Sequence, residues 1–188
     1  KQIALIKRFD RVPGGQGVHR RHQISAMTLL NLDEYAVETG EASYLELADV
    51  LLKHSRNPDR DRRELFARMV FNILVGNNDD HARNHACFWD GQYLDLTPAY
   101  DVCPQPRHSY STDQAMQVGE QGRQATLSNA LRVCSRFNLS AGEAQDIIDF
   151  QRSVIEDRVR QYLSDFEVTS HQVDQLIGNT LLSPSIDD

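Results

Sequence analysis

The residues able to do chemistry are concentrated in one stretch, Gly76-Asn77-Asn78-Asp79-Asp80-His81-Ala82-Arg83-Asn84-His85. Amides, carboxylates, imidazoles and a guanidinium follow directly on a long apolar run, and polar loops held by a rigid scaffold are common places for function. The plainest reading is a turn whose Asn and Asp side chains bond the backbone, but the stretch holds more such residues than a turn requires. His81 and His85 have the i,i+4 spacing that sets two imidazoles together on a helix, so a metal-dependent hydrolase is a second reading, with His108 or an acid as third ligand. Against it, no Glu stands beside His81 in the H-E-x-x-H manner, and Gly76-Asn77-Asn78 does not read as helix. Nucleophilic hydrolysis finds no serine near the loop and only Cys87, in a predicted strand where burial makes a thiol inert. Phosphoryl transfer is the remaining reading. It wants an acid to orient the attacking hydroxyl and oxygen ligands for magnesium, and Asp79, Asn84 and Asp101 are residues of that kind.

These groups need a frame. The helix before the loop is predicted from Asn57-Pro58, with proline in the first turn where its missing donor matters least, and it ends at Gly76. Leu65, Phe66, Met69, Val70, Ile73 and Leu74 repeat at four-residue steps along it, and Phe71 and Val75 widen the apolar arc, so this helix should be central. After the loop, His85 to Trp89 and Gln92 to Leu96 flank Asp90-Gly91, a two-residue hairpin signal.

The rest reads as helical. Ile24 to Leu32 is short and apolar on one side. Ser43 and Glu46 have capping-box spacing, with Leu45, Ala48, Leu51 and Leu52 on one face behind them. Thr126 to Phe137 is a helix. Another follows the Ser140/Glu143 capping box with Ile147, Ile148, Ile155, Val159 and Leu163 inward, and a last one spans roughly Ser170 to Ile177. Gln2 to Phe9 reads as a buried strand and Val12 to Gly17 as a loop, since no Gly-Lys-Ser/Thr follows its glycines. Asp101 to Gln124 reads as flexible and irregular, with Ser109, Ser111 and Thr112 in it, and Asn179 to Asp188 as a frayed tail. The fold class is therefore mainly α with a small β-hairpin.

Composition bounds the function class. With 188 residues, 40% hydrophobic and 25% charged, the chain is of one-domain size with a globular balance. No apolar run approaches the ~18 residues of a membrane span, and no secretory leader is visible. A net charge of −7 argues against a surface made to bind nucleic acid throughout. Cys87, Cys103 and Cys134 form no C-x-x-C pair and read as reduced, mostly buried thiols of a cytoplasmic protein. Lys53, Arg56, Arg60, Arg62 and Arg63 are interleaved with acids and read as a solvated helix start, and Trp89 as packing.

In protein kinases the catalytic-loop Asp lies five residues before a metal-binding Asn, and a hairpin then leads to a second metal-binding Asp. Asp79, Asn84, the hairpin at Asp90-Gly91 and Asp101 repeat that order, and the spacing to Asn84 selects Asp79 over Asp80. Phe71 to Asn84 followed by Leu96-Thr97-Pro98-Ala99-Tyr100-Asp101-Val102 resembles the HipA-like C-terminal domain, and Leu5 to Arg11 resembles that family's strand and hinge between lobes. The family comprises serine/threonine kinases that act as toxins of bacterial toxin–antitoxin pairs. Gln23-Ile24-Ser25 departs from the acidic pair many members carry there, which implies a different branch.

The resemblance implies the helical C-terminal lobe of a protein-kinase-like (α+β) fold: residues 1–11 as the end of an N-lobe strand and hinge, 12–178 as the lobe, 179–188 as tail. It implies Asp79 as catalytic acid, Asn84 and Asp101 as magnesium ligands, the backbone at Lys7 to Phe9 and the Phe9 ring as adenine contacts, and His81 as a structural residue bonding backbone. Arg83 faces a phosphate or solvent. The implied cofactors are ATP and Mg2+. The implied partners are a protein substrate, which in some members is an aminoacyl-tRNA synthetase, a DNA-binding antitoxin, and an N-terminal lobe whose glycine-rich lid and strand lysine are not in these residues. This lobe alone is then expected to be inactive. The alternative is a partner- or antitoxin-binding module without catalysis.

Overall fold

The computed structural model describes residues 5–15, 17–105, 113–166 and 168–187. An 18-residue helix, α4 (Pro58–Val75), forms the axis of the molecule, with α1 (Ala26–Leu29), α2 (Glu34–Glu38) and α3 (Tyr44–His54) before it. After it come α5 (Leu127–Arg132), α6 (Ala141–Ser164) and α7 (Ser170–Asn179). Short 3-10 turns lie at Ala82–Asn84, Cys134–Phe137 and Pro184–Ile186. The inward α4 residues Leu65, Phe66, Met69, Val70, Ile73 and Leu74 are all wholly buried. Each contributes about 1.5–3 kcal/mol by leaving water, which is what makes α4 the element others build upon. Pro58 sits in its first turn, and Gly76 stops it in the left-handed conformation at φ 70°. Ser140 and Glu143 close a capping box on α6, with Ile148 and Ile155 buried. No helix among the described residues is long and apolar enough to cross a membrane.

Two small antiparallel sheets complete the fold: β1 (Arg11–Gly14) with β2 (Gly17–Arg20), and the order β3-β4-β5 for β3 (His22–Ser25), β4 (Ala86–Trp89) and β5 (Leu94–Leu96). The hairpin at Asp90-Gly91 is present. Its connection is four residues long, since Trp89 pairs with Leu94, and the Asp90 carboxylate accepts from the backbone of Gln92 and Tyr93 to close it.

Several expectations are corrected. Val12 to Gly17 is a hairpin rather than a loop; a two-stranded ribbon consists only of edges, where Pro13 removes no needed ladder bond. Ile24 belongs to a strand, because His22–Ser25 pairs with β4 across some sixty residues of chain. Leu5 to Phe9 forms no strand among the described residues, and Leu5 and Ile6 are 95% and 87% exposed, for no neighbouring strand pairs with them; residues 1–4 lie outside the described part. In α3 the buried face carries Tyr44, Leu47, Ala48 and Leu51, while Leu52 is exposed.

The stretch expected to be flexible is anchored where it is described. Met116 and Val118 are wholly buried, and Gln117 exchanges backbone bonds with Ala42 and Tyr44 at 2.8 and 3.1 Å. Gly119 lies so close to Asn129 that a Cβ would come within 2.6 Å of its carbonyl oxygen. Ser109, Ser111, Thr112 and His108 lie outside the described residues. Cys87 and Cys134 are buried, whereas Cys103 is exposed.

The tail is not frayed. Leu181 and Ile186 are buried, Leu182 donates its N–H to the Leu74 carbonyl at 2.7 Å, and Asp187 pairs with Arg152 of α6. A ten-residue polar-looking tail hides two core side chains that no periodicity marks. Ile186→Ala should therefore lower unfolding free energy by about 2–4 kcal/mol, read from urea denaturation; a frayed end would give no change.

Candidate active site

At the C-terminal end of α4, Gly76 turns the chain and Asn77 donates its backbone N–H to Asn72 O at 2.9 Å. The loop is then fixed around one carboxylate. Asp80 is 3% exposed, and its Oδ2 accepts from Tyr44 OH of α3, from Asn72 Nδ2 of α4 at 2.7 Å and from His85 Nε2 at 2.8 Å. Asn72 Oδ1 accepts in turn from Asn77 Nδ2 at 3.0 Å. The His85 ring meets the Tyr44 ring edge-on at 5.4 Å, and His85 O accepts from Ala26 N at 2.8 Å. One buried acid thus joins α1, α3, α4 and both ends of the loop.

The electrostatics agree with the geometry. Burial works against the Asp80 carboxylate, but His85 and the hydrogen bonds from His85, Tyr44 and Asn72 outweigh it and hold its pKa below the ordinary carboxylate value. Burial, and then the Asp80 charge, push the Tyr44 hydroxyl well above its usual range, so it stays a donor.

Asp79, one residue earlier, is exposed and forms no ion pair among the described residues. Its carbonyl accepts from His81 N at 3.0 Å and from Asn84 Nδ2 at 3.1 Å. Asn84 is 6% exposed; with its amide nitrogen engaged, its Oδ1 remains as the atom for a ligand. Asp101 is exposed, at φ 57° in the left-handed region, where Asp is among the few tolerated side chains. Two contacts hold its neighbours against the loop: Tyr100 OH donates to Arg83 O at 2.6 Å, and Gln105 N donates to Gly76 O at 3.1 Å. Chain geometry therefore keeps Asp101 beside the segment carrying Asp79 and Asn84.

Other expected residues fall as follows. The His81 backbone shapes the loop, donating to Asp79 O and accepting from Asn84 N at 2.8 Å, but its ring Nδ1 is buried without a hydrogen-bond partner. Arg83 forms an ion pair with Glu34 of α2. Phe9 lies 5.9 Å from the rings of both Phe88 and Tyr100, which brings its segment to the residue preceding Asp101. Lys7 is exposed. His85 Nε2 is engaged by Asp80, and among the described residues no group of three His, Cys, Asp or Glu could hold a metal; His108, one third ligand that the histidine-hydrolase reading would use, lies outside the described residues. Burial pushes the Cys87 thiol up to about 12, and it is inert as expected. Arg56, Arg60, Arg62 and Arg63 are paired with Asp90, Asp61, Asp59 and Glu143 respectively. Trp89 packs on His22 at 5.3 Å.

Sequence reasoning missed Tyr44 and Asn72. The signal for Asn72 was present: a lone amide amid Phe71, Ile73 and Leu74, in the apolar last two turns of the helix, needs a buried partner. Nothing local marked Tyr44, and nothing marked Arg21, whose guanidinium lies 3.3 Å over the Phe88 ring.

The two adjacent acids should behave oppositely. Asp80→Ala strands three buried donors and should lower stability by about 3–5 kcal/mol, whereas Asp79→Ala should stay within about 0.5 kcal/mol, both by chemical denaturation. Because folding lowers the Asp80 pKa, its contribution is present above the unfolded-state value and is lost as pH falls below about 4. Unfolding free energy of the wild type should therefore fall more steeply with acid than that of Asp80→Asn.

Comparison with known proteins identifies the family and the fold. Residues 1–162 match the family model described as HipA-like C-terminal domain. A putative kinase of Haemophilus influenzae is 31% identical over 162 residues, covering 80% of this chain and 45% of that protein. The serine/threonine-protein kinase toxin HipA of Shewanella oneidensis is 30% identical over 112 residues, covering 52% of this chain and 26% of that one. The chain thus spans less than half the length of these relatives. A solved structure of Shewanella oneidensis HipA with HipB and operator DNA superimposes with a TM-score of 0.71 at 18% identity, over 90% of this chain and 44% of that one, so the fold is that of HipA. The family match over residues 1–162, with the similarity to these kinases, establishes that this chain belongs to the HipA-like C-terminal domain family.

Proposed function

We propose that this chain is the C-terminal lobe of a serine/threonine protein kinase that transfers the γ-phosphoryl of ATP to a protein hydroxyl, as part of a toxin of the HipA kind. The observation that carries the reading is the division of labour between neighbouring acids. Asp80 is buried and saturated, while Asp79 stands exposed and unpaired with Asn84 tied to its carbonyl. An exposed carboxylate on an immobilised loop can orient a substrate hydroxyl and take its proton. Phosphoryl transfer asks the protein for little beyond such positioning and charge stabilisation.

Magnesium, when bound, neutralises charge developing on the phosphate oxygens. Asn84 Oδ1 and the Asp101 carboxylate suit it: both are oxygen donors, one left free by its own amide nitrogen, the other without an ion pair among the described residues. Phe9, beside Tyr100, supplies an apolar face for adenine, with backbone at Lys7 to Phe9 for its edge. The 188 residues contain no G-x-G-x-x-G lid. A further lobe must supply that lid and the phosphate-binding lysine, so this lobe alone should turn over little. A DNA-binding antitoxin is proposed as a partner by likeness to the HipA–HipB–DNA assembly, and an aminoacyl-tRNA synthetase as a substrate by family resemblance. A non-catalytic binding module would have no use for an unpaired acid held this way.

In the full-length protein, Asp79→Asn should reduce phosphorylation at least about 100-fold with an unchanged circular dichroism spectrum. Undiminished labelling from γ-32P ATP would overturn the assignment. Asp101→Ala should abolish the magnesium dependence of nucleotide binding, read by equilibrium titration with and without the ion.

A further inference from the structure

The ribbon of β1 and β2 is basic in a chain that is acidic overall. Residues 7–22 hold Lys7, Arg8, Arg11, Arg20 and Arg21 against one acid, Asp10, while the whole chain has a net charge of −7. Asp10 pairs with Arg8 and Arg11 at 2.7 and 2.6 Å. The register of the ribbon then sets Arg20 directly opposite Arg11. Like charges placed opposite one another destabilise a strand pair. Arg20 and Arg21 are exposed, and neither side chain has an ion pair or hydrogen bond among the described residues.

Both arginines line an open groove of about 470 Å³ at the C-terminal end of β4, together with His22, Phe88, Asp90 and Asp95. The two acids are answered from outside the groove: Asp90 by Arg56, and Asp95 by Arg56 and Arg60 at 3.4 and 3.5 Å. The charge left unanswered there is that of Arg20 and Arg21. The Arg21 guanidinium lies 3.3 Å over the Phe88 ring, which fixes its plane and leaves its N–H edges for a ligand. Phe9, Asp79, Asn84 and Asp101 do not line the groove, so it is apart from the proposed phosphoryl-transfer face.

What fits is one compact dianion. Two guanidinium forks offer paired N–H donors that match phosphate oxygens, and the His22 imidazole can add a further donor. A long nucleic acid is opposed by the net charge of the chain and by the acids bordering the groove. A carboxylate brings two oxygens and one charge, whereas a phosphate monoester brings three oxygens and nearly two charges. We propose that the groove is a docking site for a phosphorylated serine or threonine of a partner protein, its phosphate held between Arg20 and Arg21. The choice of this group among dianions rests on the kinase activity proposed above, whose product carries it; the anion site itself does not.

The test reads binding by the full-length protein, not turnover. The probe is a fluorescein-labelled peptide, Gly-Ala-phosphoserine-Ala-Gly, followed by fluorescence anisotropy with AMP-PNP and magnesium saturating the nucleotide site. Binding should saturate, strengthen at low salt and vanish for the unphosphorylated peptide. Arg20→Thr and Arg21→Ala should each weaken it at least about tenfold. Arg20→Thr also removes the repulsion from Arg11, so its Tm should equal or exceed that of the wild type, which separates lost binding from lost fold. Arg21→Lys keeps the charge without the planar fork and should bind more weakly than the wild type. Binding should persist in Asp79→Asn whether or not that variant labels a substrate, so this site and the catalytic assignment fail independently. No saturable binding, equal affinity for the unphosphorylated peptide, full affinity in Arg20→Thr and Arg21→Ala, or tighter binding of a short oligothymidylate or of a peptide with glutamate in place of phosphoserine would each overturn the proposal.

Discussion

The structure depends on a charge taken out of water. Asp80 is buried, and a carboxylate survives there only because Tyr44, Asn72 and His85 converge on one of its oxygens. These three come from α3, α4 and the residue just before β4. Satisfying the charge therefore dictates how the helices meet and where the hairpin begins. A hydrophobic residue in its place could fill the space but could not specify direction. The polar node selects one arrangement of the loop from the many an Asn- and Asp-rich segment could adopt.

That arrangement separates two adjacent acids, one buried and one exposed. Backbone direction at Asp79 and Asp80 sends one side chain outward and the other inward, and the inward one holds the pose of the outward one. Asn84 reinforces this by donating to the carbonyl of Asp79 instead of to solvent. The contacts of Tyr100 with Arg83 and of Gln105 with Gly76 then dock the next segment, so that Asp101 arrives beside the loop without a direct bond to either residue. Rigid support beneath exposed functional groups is the arrangement that positioning-based catalysis requires.

The buried tail and the anchored 113–124 segment show the same economy at larger scale. Leu182 bonds back to Leu74 of α4, Ile186 joins the buried core, and Gln117 stitches its segment to the start of α3. Both read as loose in sequence because their turns and polar residues resemble solvent-exposed chain. Each is held by a few buried side chains and by backbone bonds to elements distant in sequence, which leave no periodic trace.

Much of the site was legible in the sequence itself. The spacing of Asp79, Asn84 and Asp101, the four-residue repeat of α4, the stop at Gly76 and the Ser140 capping box are local properties, set by dihedral preferences and side-chain period, and all are present in the fold. Tertiary structure alone decided which acid is buried, that Arg83 belongs to Glu34, that β3 joins β4, and that the tail is core. The reason is physical. Local pattern records what a residue can do with near neighbours, whereas the desolvation of Asp80 and the pairing of β3 depend on groups that only folding brings within reach.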